Sequence, residues 1–182
     1  MDAVRAVLEA ADTAARWHAG HRRKGAAQEP YINHLLEVAH LVAEATGGSD
    51  TNLVIAALLH DAIEDCDIAE EVIAAQFGAD VAALVAAVSD DKTLKKEVRK
   101  QLQVDRAPGK PARVKLLKLA DKTSNLRAMA ASPPANWPAA RRQDYIAWAR
   151  AVVAGLRGTN AWLEAAFDAA ATEAELAVAA AD

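Results

Sequence analysis

The sequence predicts an all-α fold, a single helical bundle, on three observations. Apolar residues recur at three- and four-residue spacing through most of the chain. Glycine, proline and capping residues punctuate these runs at helix-like intervals. No alternation of apolar and polar residues is long enough for a strand. Composition agrees, because hydrophobic residues make up 53% of the 182, much of it alanine, and aromatics only 4%. That balance suits closely packed helices better than a sheet. At this length one domain spanning 1–182 is the simplest organisation, and it is long enough to bury a real core.

The elements follow in order. "DAVRAVLEAADTAARWHAG" has helical apolar spacing and stops at Gly20. "YINHLLEVAHLVAEATGG" begins after Pro30 and ends in a glycine pair. "SDTNLVIAALLHDAIED" opens on Ser49 or Asp50 as N-cap and reads as one continuous helix. "DIAEEVIAAQFG" carries a capping-box pattern, Asp67 with Glu70 three residues later, and closes at Gly78. "ADVAALVAAVSD" is a further helix. The charged stretch "DDKTLKKEVRKQLQVDRAPGK" predicts a helix between loops, broken at Pro108-Gly109. "PARVKLLKLADKTSNLRAMA" starts with proline in the first turn, a favoured place. "SPPANWP" is a linker, followed by helices over 138–156 and 160–178, the last an alanine-rich tail with the spacing of a surface helix. A short hairpin is the most strand the chain should hold.

Net charge is −4, so nothing global points to nucleic acid or to an anionic membrane. Charge is nevertheless uneven. Twelve of the 21 Lys and Arg residues lie between positions 92 and 127, and "HRRK" at 21–24 adds three more. Such a distribution suits either a basic lining for an anionic ligand or a solvated charged face. Cys66 is the only cysteine, which excludes an internal disulfide and a zinc cluster built from several thiolates. The N-terminus lacks the apolar core of a signal peptide, and no 18-residue apolar run is free of charge. A cytoplasmic protein is expected.

The chemistry concentrates in "ALLHDAIEDCD", residues 57–67. Carboxylates are costly to bury unless something pairs with them. Here an apolar run feeds directly into His60, Asp61, Glu64 and Asp65. At ~100° per residue, His60 aligns with Glu64 and Asp61 with Asp65, within an arc of roughly 140°. A divalent cation would neutralise and coordinate these acids; an exposed C-terminal turn is the plainer alternative. Two acids there would oppose the helix dipole, which weighs against that alternative. Elsewhere "PYINHLLEVAH" places His34 near a helix start, and "KLLKLADKTSNLR" places Asp121 with Asn125 four residues on, on the same face.

The order His34, His60-Asp61, Glu64-Asp65, Asp121 resembles the HD-domain metal-dependent phosphohydrolases. More closely, "HRRKGAAQEPYINHLLEVA", "AALLHDAIEDCD", "FGADVAALVAAVSDDKTL" and "KLLKLADKTSNLRAM" resemble the hydrolase domain of the RelA/SpoT homologues. The likeness runs from about Ala14 to Asn160, through "YIAWARAVVAGLRGTN". Without room for synthetase and regulatory domains, the chain is similar to the stand-alone small alarmone hydrolases, including the animal type.

The resemblance implies removal of the 3′-pyrophosphate from (p)ppGpp. It implies His34, His60, Asp61 and Asp121 as ligands of one manganese ion. Two imidazoles and two carboxylates suit such a borderline-hard ion. Glu64 and Asp65 match the pair credited with positioning and deprotonating the attacking water, a role open to a nearby carboxylate. Arg23, Lys24 and Asn125 match nucleotide contacts, with an exposed charged loop as the alternative for the basic pair. Tyr31 is expected to pack at the entry of the pocket or to serve structure alone. Lys96, Arg99 and Arg141 are candidates for phosphate contact, with a solvated face as the alternative. The partner implied is a small nucleotide, not nucleic acid or membrane. Thr123-Ser124 stand where many relatives carry a bulkier Tyr or His, which would reshape the base pocket. Competing functions are hydrolysis of (p)ppApp or of the 2′-phosphate of NADPH, and a sensor that binds nucleotide without turnover.

Overall fold

Ten α-helices account for most of the described residues, 2–180, of the computed structural model, and these residues form no extended strand. In chain order they are α1 (Ala3–Trp17), α2 (Ile32–Thr46), α3 (Thr51–Leu59), α4 (Ala62–Cys66), α5 (Glu70–Phe77) and α6 (Ala79–Val88). After them come α7 (Lys96–Arg106), α8 (Ala112–Ala131), α9 (Ala139–Ala154) and α10 (Ala161–Ala179), with a short 3₁₀ turn at Ala107–Gly109. The all-α expectation holds. A lone antiparallel bridge between Arg22 and Pro30 closes the α1–α2 loop.

Local chemistry sets the boundaries. Asp50 caps α3 by accepting from the Leu53 N–H at 3.0 Å, and Asn160 caps α10 by accepting from Leu163 N–H at 2.9 Å. Gly47, at φ +58°, ends α2 in the left-handed conformation that glycine adopts without penalty.

α3 is buried along its apolar length, Leu53 through Leu59, between α1, α2 and α6. α8 runs through the centre, with α2, α6 and α9 against it and α10 laid along it. The α10 stripe Leu163, Phe167, Ala170, Ala171, Ala174 and Val178 is fully buried. The alanine-rich tail therefore forms a core layer rather than a surface helix, its small side chains fitting against α8.

Two further local expectations change. The helix expected through 51–65 breaks at His60-Asp61, where Asp61 leaves helical torsions at φ −98°, ψ 1°. The capping box at Asp67 does not form. Asp67 instead ends α4 in a left-handed conformation (φ +54°), and α5 starts after Ala69 with no side-chain cap. Among the described residues no helix is long and apolar enough to cross a membrane.

Candidate active site

Three helices meet where the buried histidines lie. α2 brings His34 in its first turn, the α3–α4 break brings His60 and Asp61, and the middle of α8 brings Asp121. His34 and His60 are almost fully buried. The Nε2 of His34 lies 3.4 Å from Asp121 Oδ1 and 3.7 Å from Asp61 Oδ2. The Nε2 of His60 lies 3.2 Å from Asp61 Oδ2 and 3.8 Å from Asp121 Oδ1. Donor atoms of His34, His60 and Asp121 all fall within 4.8 Å of one another.

Hydrogen bonds on the far side of each ring fix which nitrogen faces inward. His60 Nδ1 meets the Ala57 carbonyl at 2.8 Å, and a carbonyl only accepts, so Nδ1 carries the proton. Ser124 Oγ donates to Glu37 Oε2 at 2.6 Å, which leaves it to accept from His34 Nδ1 at 2.8 Å. In its neutral form each ring therefore aims a bare Nε2 lone pair at the two carboxylates. His60 Nε2 is buried with no hydrogen-bond partner. Lone pairs facing carboxylates repel unless a cation stands between them, and two imidazoles with two carboxylate oxygens suit a divalent ion of intermediate hardness. These residues fit a metal ion.

The electrostatics say the same. Burial lowers the proton affinity of His34. Burial opposes charge on His60 most strongly, but Asp61 and Asp121 together outweigh it and push His60 up to about 10, a proton doing the work of a cation. Burial works against ionised Asp61 and Asp121 too, yet His60 beside the first and Lys122 beside the second hold both carboxyls below the usual range.

The break before α4 places the acidic pair. Glu64 accepts from the Asp90 N–H at 2.5 Å through Oε1, and burial raises its proton affinity. Asp65 is more exposed and lies 3.4 Å from Lys92 Nζ. His60 and Glu64 still share one cavity, although they no longer share an ideal helix. That cavity, of about 280 Å³, is lined by the four histidine and aspartate side chains, Glu64, Asp65, Lys118 and Lys122 among others.

A second lobe, of about 590 Å³, adjoins it and is lined by Arg23, Met129, Trp137 and neighbours. Lys24, Tyr31, Asp65, Asn125 and Tyr145 line both, so the two are lobes of one cleft. The α1–α2 loop forms one wall because Gly25 lies hard against the end of α8. A Cβ there would collide with the Ser132 backbone oxygen, and Ala27 N–H donates to Ser132 Oγ at 3.0 Å. Arg23 Nη2 donates to Asn125 Oδ1 at 2.8 Å, and Asn125 Nδ2 donates to Asp121 Oδ1 at 2.6 Å. Tyr31 donates its hydroxyl to Asp61 Oδ2 at 2.6 Å, tying the mouth of the pocket to the ion-facing carboxylate.

Other expected residues lie elsewhere. Lys96 is exposed and lines neither lobe, and Arg99 lines a separate cavity of about 60 Å³ behind Val88 and Gln103. Arg141 is exposed and stacks over the Trp137 ring at 4.2 Å, touching the larger lobe only through that ring. Thr123 and Ser124 do not line the cleft. Thr123 is buried and donates to the Leu119 carbonyl, while Ser124 holds His34, so the expected reshaping of a base pocket by this pair does not occur.

Sequence reasoning missed Lys118 and Lys122. Lys122 is 4% exposed, bonds Asp121 Oδ2 at 2.8 Å and lies 4.7 Å over the Trp148 ring. Lys118 Nζ donates to the Val88 carbonyl at 2.9 Å. The signal was present, because positions 118, 121, 122 and 125 share one helical face.

Residues 10–151 match the HD domain family. The guanosine-3′,5′-bis(diphosphate) 3′-pyrophosphohydrolase MESH1 of Xenopus tropicalis is 48% identical over 162 residues, covering 89% of this chain and 90% of that protein. The human protein of the same name is 48% identical over 160 residues, covering 88% and 89%. A solved structure described as a metazoan ortholog of SpoT that hydrolyzes ppGpp superposes with a TM-score of 0.87 at 42% identity, over 91% of this chain and 93% of that one.

Proposed function

The chain belongs to the HD domain family, and from that premise we propose that it is a manganese-dependent 3′-pyrophosphohydrolase of guanosine alarmones. It would convert ppGpp to GDP and pppGpp to GTP, releasing pyrophosphate. The observation that carries this reading is the two-lobed cleft, with a roomy lobe walled by Arg23, Trp137 and Tyr145 opening into a smaller one lined by the histidine–aspartate set. One molecule with a purine nucleoside at one end and clustered phosphates at the other matches both. The names of the relatives point the same way.

His34, His60, Asp61 and Asp121 would hold the ion. When bound, the ion supplies Lewis-acid polarisation of a phosphate oxygen and acidifies water. The residues of the chain do the rest. Arg23 and Asn125, bonded to each other, form a fixed polar edge in the larger lobe, and a guanidinium plane can stack on a purine. Lys24, exposed where the lobes meet, is suited to phosphate. Fixing the nucleoside there directs its 3′ chain, not its 5′ chain, into the smaller lobe.

Glu64 is the base. Its Oε1 is engaged by the Asp90 N–H, which leaves Oε2 for a water, and burial makes it a stronger base than a solvated glutamate. Asp65 helps orient that water. Water attacks the phosphorus bonded to the ribose 3′ oxygen, that P–O bond breaks, and the 3′ oxygen leaves with the nucleoside. Lys118 and Lys122 put fixed positive charge beside the phosphate as negative charge shifts to the leaving oxygen. Tyr31 stays protonated, because burial and the neighbouring Asp61 both raise its pKa, and so it holds Asp61 as a donor.

The test is metal-stripped protein given ppGpp, ppApp and NADPH in parallel. Turnover should be absent until Mn²⁺ is restored and greatest on ppGpp. Binding of ppGpp without turnover at saturating Mn²⁺ would contradict the proposal in favour of a sensor.

A further inference from the structure

At the edge of the cleft, whose larger lobe His21 lines, and separate from the ion-facing set, three more donors converge. His18 caps the C-terminal end of α1, His21 follows three residues later, and Cys66 is the last residue of α4. The backbone bond from His21 N–H to the His18 carbonyl, 2.9 Å, closes a turn that brings the two rings together. His18 Nδ1 lies 3.1 Å from His21 Nδ1, and His18 Nε2 lies 3.4 Å from Cys66 Sγ. One donor atom from each residue falls within 4.8 Å of the other two.

We infer that His18, His21 and Cys66 form a second cation site, for a borderline-soft ion of the Zn²⁺ class, at the root of the loop that walls the nucleotide cleft. The donor set decides the ion. One thiolate with two imidazoles selects zinc-like ions over manganese or magnesium, and three protein ligands leave one position open. Around a tetrahedral ion two nitrogens at ~2.05 Å are about 3.3 Å apart, and a nitrogen and a sulfur about 3.5 Å. The 3.1 and 3.4 Å approaches here involve opposite nitrogens of His18, while one donor from each residue lies within 4.8 Å of the others. The ion takes one nitrogen from His18, so a side-chain rotation of His21 or Cys66, both only partly buried, completes the approach.

The surroundings favour a cation. Asp61, Asp65 and Asp67 bear on the Cys66 thiol, with Lys92 as the opposing charge. Burial first, and then those acids, push the thiol up to about 11, so an ion must displace its proton. His18 is 2% exposed and stacks on Tyr31, centroids 5.0 Å apart and planes at 11°. Tyr31 in turn holds Asp61. An ion on His18 and His21 would therefore fix the start of the loop carrying Arg23 and Lys24, and would bear on the cleft through Tyr31 and through His21, which lines the larger lobe.

The test is optical and needs no turnover. The full chain is stripped of metal, saturated with Mn²⁺ and titrated with Co²⁺. Only a thiolate ligand produces a near-ultraviolet sulfur-to-cobalt charge-transfer band, so Co²⁺ in the histidine–aspartate site stays silent there. Wild-type protein should show the band saturating at one equivalent, and Zn²⁺ should abolish it by displacement. Cys66→Ser should lose the band and keep Mn²⁺-supported hydrolysis. His21→Asn, at a partly buried loop position, should weaken Co²⁺ binding at least tenfold. No band in the wild type at excess Co²⁺ would overturn the inference. So would a His21→Asn titration identical to wild type, which would leave the cysteine binding cobalt alone.

Discussion

Ser124→Ala removes a hydroxyl that lines neither lobe of the cleft, yet it should weaken metal binding strongly. Ser124 is 1% exposed and links His34 Nδ1, at 2.8 Å, to Glu37 Oε2, at 2.6 Å. Alanine leaves the His34 N–H buried without an acceptor, at a cost of about 1–3 kcal/mol. Part of that falls on stability, and part on the freedom of His34 to flip or change tautomer, which the ion must then reverse. Loss of such an outer partner typically costs 10–100-fold in metal affinity, or ~1.4–2.7 kcal/mol. Glu37 keeps its ion pair with Arg127 at 3.1 Å and should hold its place, so the change stays local. The assay is calorimetric titration of Mn²⁺ into metal-stripped protein. The dissociation constant should rise 10–100-fold while kcat at saturating Mn²⁺ stays within a few-fold of wild type. Glu37→Gln, which retains an acceptor for the serine, should shift it less. An unchanged dissociation constant would refute this account of how His34 is oriented, and a collapse of kcat at saturating metal would assign Ser124 to the chemistry instead.

Glu64→Gln keeps size and leaves the ion-facing set intact, so turnover should fall about 10²–10⁴-fold with bound Mn²⁺, measured by elemental analysis, unchanged. Lys122→Met strands the half-buried Asp121 carboxylate that Lys122, itself 4% exposed, contacts at 2.8 Å. Urea unfolding of metal-free protein should show a loss of about 3–5 kcal/mol, reduced when Mn²⁺ is present. The pH dependence follows from His60, whose pKa is raised to about 10 in the metal-free fold. Its contribution is complete below the unfolded value near 6.5 and is lost as pH rises through about 10. Metal-free protein should therefore lose stability over that window, and His60→Gln should flatten the loss.

The helices were legible because they rest on local pattern, and the ion-facing set because its order along the chain resembles that of a known family. Asp50, one of the two residues offered for the role, caps α3, and His34, His60, Asp61 and Asp121 converge on one point although they come from three separate segments. The break at His60-Asp61 was not legible. His60 keeps helical torsions and only Asp61 departs from them, Asp65 N–H still reaches the Asp61 carbonyl at 2.8 Å, and no glycine or proline in the sequence marks the point. The Asp67–Glu70 pattern misled for a related reason, since Asp67 was needed to end α4 before it could begin α5. Lys118 and Lys122 read as part of a charged run, because nothing in "KLLKLADK" says that Trp148 of α9 will cover Lys122. Arg99 and Lys96 failed to reach the cleft for the converse reason: α7 turns them toward another cavity and toward solvent.

The central claim is that this cleft directs water at the phosphorus nearest the ribose 3′ oxygen. Phosphorus NMR of ppGpp hydrolysis, with Mn²⁺ and no added pyrophosphatase, tests it most directly. GDP and pyrophosphate should appear in equal amounts from the first time point, with the 5′ diphosphate untouched. Orthophosphate as the first product, or any loss from the 5′ end, would contradict it and point to a general nucleotide phosphatase.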